Sequence, residues 1–405
     1  MLHCSITMAN VKSSKHIHLQ DVLGLGRLAI DGTVRVADLA ETVHGNLTGS
    51  SPLTTGGIPD LVYNSVRAIA GVVGSGMDAL LPSLAPLQGV VGSTPEREAW
   101  LAALNGVVGD HLAATGNPLA IAMCLRHKGR ALALDPQALS ATIRHPSRKL
   151  LLLVHGLCMN DRQWTRKGHN HGSAIARDLG YTPVHLLYNG GLHISTNGRA
   201  LDGLIEALLD GWPVPVEEFA ILAHSLGGLV SRSACHYGKA AGRRWPRRLR
   251  KLVFLGTPHH GAPLERGGNW VDVALQLSPY TAPFVRLGRI RSAGITDLRY
   301  GNLLDEDWQG RDRFEHSGDR RRPLPLPEAV ECYAMAATTG CEEDSLVSSL
   351  FGDGLVPVDS ALGRHHEPAR CLSFPESRQW IGYGMSHWDL LHKPAVYRQL
   401  VRWLA

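Results

Sequence analysis

Hydrophobic positions follow two different patterns on either side of about residue 148. In the first part, apolar residues recur every three or four positions, as they do between Val22 and Ala29, and this spacing is typical of amphipathic helices. In the second part, short continuous apolar runs alternate with helical spacing, which is the pattern of a parallel sheet covered by helices. We therefore predict a flexible N-terminus over 1–20, a helical region over 21–145 and an α/β domain over 148–405.

The α/β part divides into alternating strands and helices. Its apolar runs predict strands near residues 150–154, 183–188, 218–223, 250–255, 330–336 and 369–374. Its helical spacing predicts helices near residues 170–179, 197–210, 226–240 and 389–404. In the first part of the chain, Thr94-Pro95-Glu96 predicts a helix start, because proline suits the first turn of a helix.

The sequence Ala-His-Ser-Leu-Gly-Gly at residues 223–228 lies between a buried strand and a helix. A serine on so tight a strand-to-helix turn is lifted out of the sheet, and small flanking residues let the two backbones approach each other. Ala223 takes the place of the glycine that is usual at the start of such a turn. We predict that Ser225 is a nucleophile; the alternative is a serine that only caps a helix.

A serine hydroxyl needs a general base, and the base needs an acid that orients it. When the serine lies on a turn of this type, the acid and then the histidine follow it along the chain. Asp353 is the predicted acid because its glycine neighbours suit a turn at a strand end, and His387 is the predicted base because it precedes the C-terminal helical run. The alternatives are Asp344 and Asp359 for the acid, and His365, His366 and His392 for the base.

A further motif concerns the negative charge that develops on a substrate oxygen. The apolar run 149–154 ends in His155-Gly156-Leu157. A glycine turn after an early strand lets the next backbone N–H face the nucleophile, and the residue after the nucleophile supplies a second N–H. We predict that the amides of Leu157 and Leu226 form an oxyanion hole; a plain strand-to-loop glycine is the alternative.

Together these motifs resemble the α/β-hydrolase superfamily, and within it bacterial lipases and the GPI inositol-deacylase-like branch. The motifs are His-Gly-Leu at 155–157, Ala-His-Ser-Leu-Gly-Gly at 223–228, Gly-Thr-Pro-His-His-Gly at 256–261, Gly-Asp-Gly-Leu-Val-Pro at 352–357 and Ser-His-Trp-Asp at 386–389. The similarity covers about residues 148–405 and implies an α/β-hydrolase fold, a mostly parallel sheet flanked by helices. It implies a serine esterase or lipase that acts on carboxylic esters with Ser225, Asp353 and His387 as triad and Leu157 and Leu226 as oxyanion donors.

A long connection separates the strand that ends at Leu255 from the strand near Val330. Connections of this length within a compact domain usually form lids or insertions. We therefore expect a helical cap over about 262–325, with residues such as Trp270 and Phe284 lining an acyl-binding cavity beside Ser225.

Composition narrows the partners of the chain. The formal net charge of +5 is too small to indicate nucleic-acid binding, although basic clusters occur at 243–251 and 320–322. Seven scattered cysteines are typical of reduced thiols in a cytosolic protein. We find neither the apolar core of a signal peptide in residues 1–20 nor an apolar stretch long enough for a transmembrane helix, so we expect a cytoplasmic protein.

Several motifs favour structural over chemical roles. We interpret His169-x-His171 and His259-His260 as structural or surface histidines, because no third zinc ligand has convincing spacing, and a serine triad needs neither a metal nor a cofactor. The run 342–344 is interpreted as a solvated acidic loop and not as a calcium site. The N-terminal helices are candidates for peripheral contact with a membrane or lipid surface or for self-association, and the oligomeric state stays open.

Two other functions remain open at this point. The same machinery could hydrolyse amides, thioesters or polyesters, because this scaffold hosts many chemistries. A non-catalytic protein that binds lipid surfaces through its N-terminal helices is the alternative from a different class. Whether the substrate is a glyceride, a phospholipid or a small soluble ester is not encoded in any of these motifs.

Overall fold

The computed structural model describes residues 20–21, 23–32, 93–262, 291–313, 318–340 and 352–405. The chain divides into two units, one of Met1–Glu98 with Ala114–Leu119 and one of Ala99–Ala113 with Ala120–Ala405. Residues 1–19, expected to be flexible, and most of the expected N-terminal helices lie outside the described residues. The domain division near residues 145–148 therefore stays a prediction.

In the smaller unit, the described residues between 20 and 32 are helical. The Arg97 guanidinium donates to both carboxylate oxygens of Asp21, with Nη2–Oδ1 at 2.6 Å and Nε–Oδ2 at 2.8 Å. The Asn117 side-chain amide donates to the carbonyl of Gly24 at 3.0 Å. These two contacts join the helical segment to Arg97 and Asn117 of the same unit.

A central sheet of eight strands dominates the described part of the larger unit. Ten strands are described in this unit, eight in the sheet and two in a separate hairpin: β1 (Cys124–His127), β2 (Arg130–Ala131), β3 (Lys149–Val154), β4 (Thr165–Arg166), β5 (His169–Asn170), β6 (Thr182–Leu187), β7 (Glu218–His224), β8 (Leu249–Leu255), β9 (Glu331–Thr338) and β10 (Gln379–Tyr383). The sheet order is β10-β9-β8-β7-β3-β6-β1-β2, and β4 and β5 form a separate hairpin. The six strands from β10 to β6 are parallel, whereas β1 is antiparallel to both of its neighbours.

From residue 93 onward the structure describes eight α-helices. They are α1 (Pro95–Ala114), α2 (Pro136–Thr142), α3 (His171–Leu179), α4 (Ile194–Gly211), α5 (Leu226–Ala240), α6 (Ala293–Asp297), α7 (Val358–Ala361) and α8 (Pro394–Leu404). Short 3-10 turns occupy Asp161–Trp164, Trp245–Arg247, Asp305–Asp307, Pro368–Arg370, Glu376–Arg378 and Asp389–Leu391.

Continuous apolar runs explain the parallel strands. Leu150 to Val154 of β3 are fully buried, so both faces of the strand are covered. On one face Leu151 and Leu153 join a core that includes Ile175 of α3 and Trp403 of α8. The predictions near 150–154, 183–188, 218–223, 250–255 and 330–336 are confirmed to within one or two residues.

The strand predicted at 369–374 is wrong. This stretch holds a 3-10 turn followed by a loop, and the last strand is β10. Leu372 and Phe374 are buried, so the alternation of apolar residues reflects a loop that packs on the core. Pro368 and Pro375 flank the loop, and proline has no N–H for a strand ladder.

Strands β1 and β2 lie where only helices were expected. They form a two-residue hairpin through Lys128 (φ 50°) and Gly129 (φ 75°). Two positive φ values fit the twist of a hairpin, but the usual sequence for such a turn is Asn-Gly or Asp-Gly. A Lys-Gly turn between two short strands therefore gave no recognisable signal.

The predicted helices near 170–179, 197–210 and 226–240 are confirmed as α3, α4 and α5, and α1 begins at the expected Pro95. The helix predicted at 389–404 begins later, at Pro394. Proline disfavours the helical conformation in the residue before it, and Lys393 is extended at φ −67° and ψ 136°. The residues before Lys393 form the separate 3-10 turn Asp389–Leu391.

His171, at the start of α3, is fully buried and bonded on both ring nitrogens. Its Nε2 lies 3.0 Å from the carbonyl oxygen of Leu390, and its Nδ1 lies 2.9 Å from Nε2 of His169. Burial lowers the pKa of His171 to about 3. The ring is therefore neutral in the folded protein at neutral pH.

Protonation of the unfolded chain at His171 should make stability depend on pH. Between the ordinary pKa of about 6.5 and the folded value, only the unfolded chain binds this proton. The free energy of unfolding should fall as pH falls through this window, by up to about 1.4 kcal/mol per pH unit for this group. In urea unfolding at pH 7 and pH 5, His171→Gln should show a smaller pH difference than the wild type. His366→Gln, a control at an exposed position, should show the same pH difference as the wild type. Equal pH differences in all three proteins would contradict the expectation.

Candidate active site

Ser225 occupies a tight turn between β7 and α5. Its backbone has φ 53° and ψ −125°, which is a sparsely populated conformation for a residue with a side chain. The Ser225 N–H donates to the carbonyl of Leu255 on the neighbouring strand at 2.9 Å. A Cβ on Gly227 would lie 2.5 Å from the carbonyl oxygen of Val154, so only glycine allows α5 to start so close to β3. This is the strand–turn–helix geometry that the sequence predicted.

Asp353 and His387 form a buried pair. The His387 Nδ1 lies 2.6 Å from Asp353 Oδ2, and the His387 backbone N–H donates to the Asp353 carbonyl at 3.0 Å. The other carboxylate oxygen accepts from the backbone N–H groups of Leu355 and Val356, at 3.0 and 2.8 Å. These donors keep the carboxylate in one orientation, and with it the imidazole. The predicted acid and base are therefore brought together.

Three loops meet at the carboxyl end of the sheet. A Cβ on Gly156, after β3, would lie 3.1 Å from the Cβ of Ser225. A Cβ on Gly256, after β8, would lie 3.0 Å from Cε1 of His387. The ring of His224 lies 4.6 Å from the ring of His387, measured between centroids. The ring of His387 therefore lies beside His224, the residue that precedes Ser225.

The candidate oxyanion loop follows β3. In the described part of the chain neither the Leu157 nor the Leu226 amide donates a hydrogen bond to another residue, and the amide of Leu226 is one of the unpaired donors of a helix N-terminus. The Tyr188 hydroxyl donates to the carbonyl of His155 at 2.8 Å, and the two rings stack with centroids 4.3 Å apart. This contact fixes the backbone just before Leu157.

Helix α1 supports the same loop from behind. A Cβ on Gly106 would lie 2.3 Å from Sγ of Cys158, and a Cβ on Gly109 would lie 1.9 Å from Oδ1 of Asn189. Cys158 has a φ of 58°, so the loop turns sharply after Leu157. Residues far apart in sequence thus set the path of the candidate oxyanion loop.

Two buried histidines beside the site are neutral. Burial lowers the pKa of His155 to about 4. Burial and the neighbouring His387 hold the pKa of His224 well below its usual range. Neutral rings here add no positive charge next to His387.

The alternative acid and bases that are described make other contacts. Asp359 is exposed and lies 3.4 Å from the Arg364 guanidinium. The exposed His366 stacks on His365, and His392 contacts the Trp388 carbonyl and Asp389. Asp344 and the acidic run 342–344 lie outside the described residues.

The paired histidines have protein partners. His169 and His171 contact each other, Arg232 Nη1 lies 3.3 Å from His259 Nδ1, and Arg321 Nη2 lies 2.8 Å from His260 Nδ1. Among the described residues, one group could offer three ligand atoms to a metal ion, namely His365, His366 and Glu367. This group is separate from the pair formed by Asp353 and His387.

Sequence reasoning did not identify the supporting residues. His224, Tyr188 and the glycines of α1 were not singled out, although each shapes the backbone around Ser225 or Leu157. His224 stands next to the predicted nucleophile and offered a local signal. The contact between Gly106 and Cys158 joins residues that no local motif connects.

The cap predicted over 262–325 is described only in part, since 263–290 and 314–317 lie outside the described residues. Its described residues include α6, whose N-cap Ser292 donates to the Gly106 carbonyl at 2.6 Å. Asp297, the last residue of α6, accepts from the backbone N–H of Ile194 at 2.9 Å. Whether the remainder covers Ser225 stays a prediction.

Comparison with known proteins agrees with this architecture. Residues 197–318 match the family described as a PGAP1-like alpha/beta domain. The chain has the α/β-hydrolase fold. No curated protein matches the sequence.

Several solved α/β-hydrolase structures are similar to the chain. The mature lipase BlEst2 of Bacillus licheniformis is 18% identical, with a TM-score of 0.40 over 65% of this chain and 95% of the lipase. The esterase Pf2001 of Pyrococcus furiosus is 14% identical, with a TM-score of 0.36 over 64% of this chain and 82% of the esterase. The phospholipase PlaB of Legionella pneumophila, in complex with thio-NAD, is 18% identical, with a TM-score of 0.33 over 53% of this chain and 44% of the phospholipase.

The conformation of Ser225 leads to a stability test. Glycine adopts a positive φ without strain, so Ser225→Gly should be more stable than Ser225→Ala by on the order of 1 kcal/mol. Ser231, inside α5, is the matched control, because there glycine should be less stable than alanine by about 1 kcal/mol. Thermal unfolding of the four variants measures both differences. A Ser225→Gly protein that melts below Ser225→Ala would contradict a strained turn.

Proposed function

We propose that this protein is a serine hydrolase that cleaves carboxylic ester bonds, as a lipase or carboxylesterase. The observation that carries the proposal is the buried contact of 2.6 Å between His387 Nδ1 and Asp353 Oδ2. The His387 ring lies 4.6 Å from the ring of His224, which precedes Ser225 on its strained turn. A buried carboxylate that holds one imidazole nitrogen leaves the other nitrogen to accept a proton.

In the first half of the reaction, the Ser225 Oγ attacks the ester carbonyl carbon while Nε2 of His387 takes its proton. Asp353 accepts the Nδ1–H of His387 and stabilises the imidazolium that forms. The amides of Leu157 and Leu226 bind the oxygen that becomes negative. Removal of one such donor costs about 3–4 kcal/mol in other hydrolases.

In the second half, His387 gives its proton to the leaving alcohol and an acyl-enzyme remains. Water then attacks the acyl carbon, with His387 again as general base, and Ser225 is released with the carboxylic acid. This cycle needs no group beyond the residues named. It requires only that water and substrate reach Ser225.

Ester or lipid substrates are the proposed class, in line with the lipase, esterase and phospholipase to which the fold is similar. We propose a cap over Ser225 and a cytoplasmic location, with peripheral lipid contact through the N-terminal helices. None of the helices in the described ranges has the length and apolar character needed to cross a bilayer.

Triad substitutions test the proposal directly. Ser225→Ala should abolish hydrolysis of a short-chain nitrophenyl ester, and His387→Ala and Asp353→Asn should each lower kcat by about three decades or more. Asp359→Asn, which changes an exposed carboxylate six residues from Asp353, should keep wild-type kcat. Circular dichroism checks that each variant is folded.

Two results would oppose the proposal. A wild-type protein with no activity on any nitrophenyl ester would favour the non-catalytic alternative. A nearly silent Asp353→Asn, together with an inactive Asp344→Asn, would move the acid to Asp344.

A series of acyl chains tests the cap. If apolar residues of 262–325 line a cavity beside Ser225, each buried methylene adds up to about 0.8 kcal/mol of favourable burial. We therefore expect kcat/KM to rise from acetyl to octanoyl nitrophenyl esters. A steady fall over this series would indicate an open site for small soluble esters, and equal turnover of the matching amides would change the substrate class.

A further inference from the structure

A groove of about 460 Å³ lies at the edge of the sheet opposite Ser225. Its walls are the second half of α5, the turn that leads into β8 and the segment 324–330. Ser225 follows the carboxyl end of β7, whereas Leu249 in the groove wall begins the parallel strand β8. The groove is therefore separate from the candidate active site.

Positive charge dominates the lining. Five cationic side chains face one carboxylate, that of Glu328; they are Arg232, Lys239, Arg243, Arg247 and Arg250. Lys239 pairs with Glu328 at 3.0 Å, and Arg243 lies 3.5 Å from Asp202. Arg247 and Arg250 are exposed and have no ion pair with any described residue. The groove therefore has an excess of positive charge that the described residues do not neutralise.

Arg232 adds a buried cation to the same lining. The side chain is 4% exposed, and no described carboxylate pairs with it. One Nη donates to the carbonyl of Leu324, the other lies 3.3 Å from His259 Nδ1, and Nε has no partner among the described residues. Burial lowers the pKa of Arg232 to about 9, so the guanidinium is still charged at neutral pH. A buried cation without a counter-ion is costly, and a bound anion would reduce that cost.

The other walls are apolar. Leu324-Pro325-Leu326-Pro327 forms one side, followed by Ala329 and Val330. The two prolines fix φ in this segment, so the wall is stiff. Cations on one side and a stiff apolar wall on the other suit a ligand with a charged head and an apolar body.

We propose that this groove binds a small amphiphilic anion, with a carboxylate or phosphate head on a short apolar chain. Its volume lies in the range of small-molecule sites. Arginine forks match the oxygens of either head group, and Leu324 and Leu326 contact the chain. The proposal goes beyond ester hydrolysis and does not depend on it.

A flat anionic membrane is a different partner, and two features favour the small ligand. The site is concave, and the apolar wall stands inside it beside the cations. In addition, Arg248 belongs to the same basic run but does not line the groove, and Arg244 pairs with Glu206 and Asp210 on α4. The unpaired arginines that line the groove, and not the whole basic run, define the site.

Calorimetric titration of the full chain tests the head group and the chain. The probes are octanoate, octyl phosphate and the neutral 1-octanol. At least one anion should bind about tenfold or more tightly than octanol, and its affinity should fall with added salt. A preference between the two anions identifies the head group. Equal affinity for octanol and both anions would overturn the proposal.

Variants then locate the binding. The double substitution Arg247→Gln with Arg250→Gln should weaken binding of the preferred anion about tenfold or more. Arg248→Gln removes a neighbouring charge outside the groove and should change affinity less than about twofold, since exposed charges interact weakly through water. Circular dichroism confirms that the variants fold, because all three positions are exposed.

Two outcomes would contradict the proposal that the groove binds an anion. Equal losses in Arg248→Gln and in the double variant would indicate diffuse attraction and not a site. Binding to vesicles of anionic phospholipid in the absence of binding to either soluble anion would indicate a membrane surface. None of these measurements uses an ester. A lack of anion binding would therefore not contradict the proposed hydrolase activity, and a lack of ester hydrolysis would not contradict anion binding in the groove.

Discussion

Helix α5 starts, right after Ser225, so close to the ends of β3 and β8 that Gly227 and Gly228 have no space for a side chain. A Cβ at Gly228 would lie 2.0 Å from Oγ1 of Thr257, well inside van der Waals contact. The helix can begin there only because the turn takes an unusual conformation at Ser225, at φ 53°. The same turn also contacts Gly156 after β3, so the position of the serine and the path of the candidate oxyanion loop are set by one close contact.

Asp353 and His387 complete this arrangement through backbone as well as side-chain contacts. The two residues exchange a backbone hydrogen bond of 3.0 Å and a side-chain contact of 2.6 Å, and both are buried. Loss of either partner would leave a buried polar group without its hydrogen bond, which is expensive in free energy. The loops after β9 and β10 are thus held together, and His387 remains beside His224 at the end of β7.

The sequence was most informative where structure is local. Buried parallel strands are continuous apolar runs, so five of the six predicted strands are observed, and the serine turn has its own small-residue signature. The prediction at 369–374 is wrong because a buried loop shows the same apolar alternation as a strand. The hairpin of β1 and β2 was missed because its Lys-Gly turn is atypical. The close approach of Asp353 to His387 was inferred from chain order, and its geometry came only from the structure.

Helix α1 shows why the remaining contacts could not be read from the sequence. Gly106 has no side chain, so Cys158 of the candidate oxyanion loop can approach the helix backbone. Gly109 leaves the same space for Asn189. Asn189 then donates to the carbonyl of Gly109 at 2.8 Å. Each glycine inside a helix costs about 1 kcal/mol relative to alanine, so local propensity argues against these residues. Their presence follows only from neighbours that lie far away along the chain, Asn189 for Gly109 and, for Gly106, Cys158, the residue that follows Leu157.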